Sequence, residues 1–445
     1  MNTTIIIRRL VCVAGGIFLL AIHIQSIAQS ARTITLEEAI EMSLESSKQL
    51  KLSQTNVDLA GLNIRQIKEN QLPSLSISGS YLRVNTPDIN LKIKPGGNDS
   101  TSSGAAPNVH QAMYGMASAS VPIFSGFRFK YGLQSAHYLE EAAKLDAEND
   151  RDAVVQNTIA AYSNLYKAKK SLDLVAENLL RERQRVEEFT NRERNGMLAR
   201  NDLMKAKLQE SNVELALLDA ENDLKVTTIN MDLLLGLPEN TPLLADSASF
   251  MVFKEEGNAG DWEQTALTNR KDVAANGIRQ KAAHIDIKGA KSDFYPSIAL
   301  TAGYVALNIP GVAVIPNAVN AGIGIRYDVA SLWKSGSKIA KARTHAYQLK
   351  TNEEILVDRI HLEVNTAYYN YVLSKRKIDV YAKAVEQANE NYRITKNKFD
   401  NSLVTTTELL DADVAQVQSK INYEAAKADA IVAFKRLEQT AGVIR

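Results

Sequence analysis

The sequence is written twice. Residues 121–206 align without a gap with residues 327–412, a constant 206 positions apart. Ala161-Tyr162-Ser163-Asn164 falls on Ala367-Tyr368-Tyr369-Asn370, and Asp202-Leu203 falls on Glu408-Leu409. Leu172, Val175 and Leu179 fall on Ile378, Tyr381 and Val385. A second match, Pro73-Ser74-Leu75-Ser76-Ile77 with Pro296-Ser297-Ile298-Ala299-Leu300, lies 223 positions apart, so the first copy carries 17 more residues between the two matched blocks. A duplication on this scale makes each half one structural unit and limits the fold to two copies of one plan.

The second match has a strand's periodicity. Leu75, Ile77 and Tyr81 alternate with serines in one copy, and Ile298, Leu300 and Tyr304 alternate with small residues in the other. Period two marks a strand with two different faces. The second face is small and polar rather than charged, which suits a wall with lipid on one side and water on the other. Each half offers two strands: 73–82 and 112–124, then 296–307 and 320–329. In the last, Ile323, Ile325, Tyr327 and Val329 share one face, and Gly322, Gly324, Arg326 and Asp328 the other. Arg326 and Asp328 need water, so that face is expected to line a lumen. A soluble sandwich would also have one wet face, but the helices read below are too long to cap one. The strands are joined by a flexible loop, 85–108, rich in Gly, Ser, Pro and Asn, and by a shorter one, 308–317.

Residues 1–28 read as a secretory signal. Arg8-Arg9 precede an apolar run, and Ser26-Ile27-Ala28 is a small-x-small cleavage site. The single cysteine, Cys12, lies within it, so the mature chain is expected to have no disulfide and no thiolate site. No later apolar run is long enough for a spanning helix, so entry into a membrane would have to use strands. Charge is balanced, with 52 Lys+Arg against 51 Asp+Glu. No basic block points to nucleic acid. The six histidines are scattered, and no His-Glu-x-x-His, phosphate loop or Gly-x-Ser-x-Gly turn is present. No enzymatic activity, metal or cofactor is expected.

None of the ten prolines falls between Pro122 and Pro238 or after Pro316. Proline costs about 3 kcal/mol inside a helix, so both tracts are free to be helical. Apolar residues recur there at steps of three and four, the spacing of a coiled coil: Val155, Ile159, Tyr162, Tyr166. Arg194-Asn195-Gly196 and Asp400-Asn401-Ser402 break the tracts as helix reversals. The spacing predicts long helices over 127–194 and 331–398, each roughly 100 Å at 1.5 Å per residue. It predicts short partners over 35–70, 201–236, 261–292 and 406–440. The chain then divides into a first repeat, 29–236, an equatorial linker, 237–260, and a second repeat, 261–445.

Four strands cannot close on themselves, and open edges in lipid would leave backbone groups unpaired. Two, three or four chains would give eight, twelve or sixteen strands, and strand count alone does not choose among them.

The duplicated strand–strand–long helix–short helix plan resembles the TolC-like outer-membrane efflux proteins over essentially all of the mature chain. Val121-Pro122-Ile123-Phe124-Ser125-Gly126 is similar to that family's strand-to-helix junction. The reversals Gly196-Met197-Leu198-Ala199-Arg200-Asn201-Asp202-Leu203 and Ser402-Leu403-Val404-Thr405-Thr406-Thr407-Glu408-Leu409 are similar to its reversal signature, with Ser402 in place of glycine. The resemblance implies a mostly α-helical homotrimer sharing a twelve-stranded β-barrel in the outer membrane above a periplasmic helical tunnel. It implies a periplasmic adaptor and an inner-membrane pump as partners, with the channel as their exit duct. Gly196, Met197, Leu198, Ser402, Leu403 and Val404 would meet the adaptor. Glu408, Asp411 and Asp202 would ring the gate, with Lys205 where a second acidic residue of the first copy would stand. Val404 occupies the place of the family's bridging arginine. The competing reading is a periplasmic coiled-coil scaffold without a pore, which leaves the polar strand face unexplained.

Overall fold

A computed structural model describes residues 32–83, 85, 110–239, 241–247, 257–310 and 313–444. The expected signal, 1–28, nearly all of the expected loop 85–108 and part of the expected 237–260 linker lie outside these. The chain is mostly helical. In order it forms β1 (Arg32–Ile34), α1 (Leu36–Ser46), α2 (Lys48–Glu69), β2 (Ser74–Arg83), β3 (Gln111–Ser125), α3 (Arg128–Arg194) and α4 (Arg200–Leu235). Then come β4 (Leu243–Ala245), α5 (Ala259–Asn269), α6 (Lys271–Ala290), a 3-10 turn (Lys291–Phe294), β5 (Ser297–Ile309), β6 (Ala313–Arg326), α7 (Ser331–Asp400) and α8 (Thr406–Thr440). The contacts divide it into two units, one built from residues 1–51, 149–270 and 359–445 and the other from 52–148 and 271–358. Among the described residues no helix is long and apolar enough to cross a membrane.

The first unit is helical with one small sheet. β1 and β4 pair in parallel, Arg32 opposite Leu243. Beneath them Ile34, Val155, Ile159, Tyr162, Leu165, Met231 and Leu243 are buried together. Tyr162 is fully buried, and its hydroxyl is satisfied by donating to the carbonyl of Ile34 at 2.9 Å and accepting from the N–H of Asp246 at 2.8 Å. A buried phenol needs such partners.

The sequence predicts unbroken helices over 35–70 and 261–292. Both are broken, and at matching places. Ser47 (φ −56, ψ 117) separates α1 from α2, and Arg270 (φ −64, ψ 130) separates α5 from α6; these residues lie 223 apart, the spacing of the strand match. Neither residue is a helix breaker by itself. Each break is packed against one of two glycines that lie 206 apart. Gly236 ends α4 at φ +71, and a Cβ there would stand 2.7 Å from the Cβ of Ser46. Gly442 follows α8 at φ +71, and a Cβ there would stand 2.9 Å from the backbone nitrogen of Arg270. At each break a glycine without a Cβ allows the close approach, of the Ser46 side chain at Gly236 and of the Arg270 backbone at Gly442.

The second unit holds an antiparallel sheet in the order β2-β3-β5-β6. Its register sorts the side chains. Ile77, Ala117, Tyr304 and Val319 lie in one row, and Val121, Leu300 and Ile323 in another on the same face. The opposite face carries Ser76, Ser118, Gly303 and Asn320 in one row and Ser120, Thr301 and Gly322 in the next. Directly opposed residues share a face, so one face is apolar throughout its middle and the other small and polar. The hydroxyls of Ser76 and Ser118 lie 2.7 Å apart across that polar face. Within the single chain the sheet does not close; β2 and β6 are its outer strands.

β6 corrects the expected 320–329. It begins at Ala313, so the connection is shorter than 308–317, and it ends at Arg326. Pro316 reads as a loop residue but sits in this outer strand beside the register shift between Val305 and Leu307, where its missing N–H is tolerated. Its carbonyl accepts from the hydroxyl of Tyr304 at 3.0 Å. Arg326 does lie on the polar face, opposite Ser297. Tyr327, Asp328 and Val329 lie beyond the strand. Asp328 is a turn residue instead, its carboxylate accepting the N–H of Ala330 at 3.0 Å ahead of α7.

Candidate functional site: the helix reversals

Both reversals close in the same way. After α3, Gly196 takes φ +71; the N–H of Met197 donates to the carbonyl of Arg192 at 2.8 Å and that of Gly196 to Glu193 at 2.9 Å. After α7, Ser402 takes φ +61; the N–H of Leu403 donates to Lys398 at 2.9 Å and that of Ser402 to Phe399 at 2.9 Å. These paired bonds satisfy the last carbonyls of each helix and require a left-handed residue. Ser402 holds that conformation at a cost of roughly 1 kcal/mol or more. Ser402→Gly is therefore expected to stabilise the second reversal by about 0.5–1 kcal/mol after the glycine's extra unfolded freedom is subtracted. The readout is slower local hydrogen exchange over residues 397–403; unchanged or faster exchange would contradict it.

The helices that follow start differently. Thr405 caps α8: its hydroxyl accepts the N–H of Glu408 at 3.3 Å, and the Glu408 carboxylate accepts the N–H of Thr405 at 2.7 Å. The backbone N–H of Thr405, then its hydroxyl, then the charge of Lys398 hold the Glu408 carboxyl below its ordinary range. The Thr-x-x-Glu spacing is a capping-box signature that the sequence itself carries. The equivalent residue before α4, Ala199, has no side chain with which to cap.

The structure divides the apolar residues of the reversals into two pairs. Leu198 and Val404 pack into a small core with Phe189, Leu203, Phe399 and Leu409. Met197 and Leu403, one residue earlier in each copy, are 70% and 73% exposed. The hairpins are joined beside this core. The rings of Phe189 and Phe399 stack at 5.3 Å. Arg192 reaches across to Asp400 at 3.1 Å and lies over the Phe399 ring at 5.7 Å. Lys205 lies 3.4 Å from Asp202 and donates to the Thr407 hydroxyl at 3.2 Å. Asp411 is exposed one turn after Glu408. Arg192, Phe399 and Asp400 are functional candidates that sequence reasoning missed, because partners on different helices leave no local spacing.

The fold matches solved outer-membrane channels. It superposes on the structure titled "Crystal structures of CusC review conformational changes accompanying folding and transmembrane channel formation" with a TM-score of 0.74 at 17% identity, covering 92% of both chains. That likeness gives the class: a TolC-like channel fold. The profile of the family described as "Outer membrane efflux protein" matches residues 39–237 and 262–443. Among curated relatives, "Outer membrane efflux protein BepC" of Brucella suis biovar 1 (strain 1330) is 21% identical over 343 residues, 76% of this chain and 70% of BepC. "Nodulation protein T" of Rhizobium leguminosarum bv. trifolii is 22% identical over 404 residues, 85% of this chain and 78% of that protein. The chain belongs to the outer membrane efflux protein family, which is a family of channels rather than enzymes.

Proposed function

We propose that three copies of this chain form the exit duct of a tripartite export system, passing small molecules from an inner-membrane pump through a periplasmic adaptor to the outside. The observation that carries this reading is the four-stranded sheet, apolar on one face, small and polar on the other, with β2 and β6 left as outer strands. Lipid against the first face and water against the second satisfy both, and neighbouring copies supply the missing edge partners. The helices give independent support. Leu208 and Leu215 on α4, and Leu362 and Tyr369 on α7, are exposed at seven-residue spacing. Such spacing calls for another helix. In this reading the sheet lies in the outer membrane and the helices in the periplasm, after removal of residues 1–28.

At the reversals, Met197 and Leu403 would be adaptor anchors, with Gly196 and Ser402 setting the turns and Leu198 and Val404 supporting them from inside. Asp202, Glu408 and Asp411 would ring the entrance three-fold, so that the acidic groups attract cations. Glu408 also caps its helix, which leaves Asp411 as the carboxylate free to serve the ring alone. The test is planar-bilayer recording of the purified protein, with its mass measured natively. Three chains per particle, ion conductance, and a cation block weakened at least several-fold by Glu408→Gln with Asp411→Asn are expected. The Gln substitution keeps the capping bond while removing charge. A stable monomer without conductance would instead favour the scaffold reading. Equal block of both proteins would put the carboxylates outside the passage.

A further inference from the structure

Well above the reversals, two carboxylates are buried where nothing in the hairpin plan requires them. Glu182 of α3 and Asp413 of α8 are both 0% exposed, and Arg185, between them, is 7% exposed. Glu182 stands twelve residues before the end of α3, roughly 18 Å along the helix. Arg185 donates to the Glu182 carboxylate at 2.5 Å, lies 3.2 Å from Asp413 and donates to the hydroxyl of Tyr392 on α7 at 3.2 Å. One side chain of α3 thus holds α7 and α8 together with its own helix. Arg181 stands at the edge: its Nε is buried without a hydrogen-bond partner 4.0 Å from Asp413, while its two terminal nitrogens donate to Glu177 at 2.8 Å and to Asn178 at 3.0 Å. On the facing α4, Glu210 and Glu214 lie against Arg183, at 3.8 and 3.4 Å. The duplicate positions, 206 residues away, carry Ala388 for Glu182, Asn391 for Arg185 and Lys207 for Asp413. The cluster is therefore not part of the repeated packing.

Its hydrogen bonding is incomplete for two ionised acids. Oε2 of Glu182 and both carboxylate oxygens of Asp413 are buried without a hydrogen-bond partner. With both ionised, two negative charges face Arg185 and, at the cluster's edge, the Nε of Arg181, whose own charge is already paired with Glu177, so one negative charge stays in excess and neither acid can donate to the other. One proton removes the excess charge and supplies the missing donor. We propose that Glu182 carries a proton in the packed state beside Arg185 and Asp413, that this proton keeps α3 packed against α7 and α8 above the reversals, and that its release toward neutral pH loosens the second hairpin from the first.

The titration has the required sign. Burial first, then the adjoining Asp413, pushes the Glu182 carboxyl up from 4.5 to about 7, against the opposing pull of Arg185. In an opened, hydrated hairpin it returns toward its ordinary value. Below that value both states are protonated, and above about 7 both are ionised, so neither range favours opening further. Between them the packed state keeps a proton that the open state has lost. Each pH unit then shifts the balance toward opening by up to tenfold. If the reversals are the entrance of a duct, as proposed above, the consequence is an entrance that loosens as the periplasm moves from acid to neutral. The proton and the helix separation themselves do not depend on that reading.

Hydrogen exchange of the purified full chain tests it without requiring a pore. After correction for the chemical exchange rate, exchange over residues 178–189 and 409–417 is expected to accelerate at least tenfold between pH 5 and pH 7 in the wild type. Glu182→Gln, which replaces the protonated acid by a neutral amide of the same shape, is expected to keep the pH 5 protection at both values. A wild type without the acceleration overturns the proposal, as does a Glu182→Gln variant that either accelerates equally or is already unprotected at pH 5. A chain that shows this response but conducts no ions would keep the proton device and lose the channel reading. A conducting chain without the response would do the reverse.

Discussion

Replacing Met197 and Leu403 together by aspartate is expected to cut export at least tenfold while leaving the yield of folded, assembled protein unchanged. The two residues are equivalent in the two copies and sit at the tips of the two reversals with most of their surface in solvent. Their removal costs the hairpin little, because the inward packing there is done by Leu198 and Val404. An adaptor that covers them would bury two apolar anchors per chain, each worth about 1.5–3 kcal/mol. A carboxylate placed in that contact would add the cost of an unpaired buried charge. Leu198→Asp and Val404→Asp would also stop export, but by placing a charge among Phe189, Phe399 and Leu409 and unfolding the reversal. The comparison therefore needs both pairs. The exposed pair should fail in export alone, and the inward pair in export and folding together. Normal export from the Met197 and Leu403 double variant, in cells that carry the cognate pump and adaptor, would move the adaptor contact off the tips.

Alternation and proline placement made most of the elements readable, since both are local. The polar and apolar faces of β2 follow from single-residue alternation, and the two long helices from tracts without proline. The strand bounds failed where local chemistry was ambiguous. Pro316 looks like a loop residue until its position in an outer strand beside a register shift is known. Asp328 looks like a lumen residue until its bond to the N–H of Ala330 shows a turn. The breaks at Ser47 and Arg270 leave no local signal, since neither residue is a helix breaker and the glycines packed against them, Gly236 and Gly442, are far away in the sequence. At the reversals the turn residues were legible, but the division of labour between Met197 and Leu198, and between Leu403 and Val404, was not. Adjacent apolar residues differ only in which way the turn sends them. The buried pair Glu182 and Asp413 was the least visible feature. Charged residues in a coiled coil ordinarily face solvent, and only the arrival of α8 against α3 buries these two.

Gly126→Ala is expected to abolish folding of the second unit, and Gly196→Ala is its control. Both glycines hold a left-handed backbone, at φ +63 and φ +71. Alanine in that conformation costs roughly 1–2 kcal/mol at either site. At Gly196 that is the whole cost, because an added Cβ meets nothing within 4 Å. At Gly126 the Cβ would stand 2.5 Å from the carbonyl oxygen of Ser292 and 3.1 Å from the Cβ of Tyr295. A backbone oxygen cannot rotate aside as a side chain can, so β3 and the 3-10 turn would have to separate. That separation would break the contacts that hold the next residue. Phe127 also lies at positive φ, +68, uncommon for a bulky side chain. Its ring meets Phe124 at 5.1 Å and Tyr295 at 5.5 Å, both edge to face. Two consecutive left-handed residues turn the chain from β3 into α3, and the aromatic contacts offset the strain of the second only while Gly126 allows the close approach. The expected result is little or no protease-resistant protein in the membrane fraction for Gly126→Ala, against near wild-type yield and a slightly lower thermal inactivation midpoint for Gly196→Ala. Equal yields from the two variants would mean that the junction can open at Ser292 without loss, and that the strand-to-helix turn is held by the aromatic rings alone.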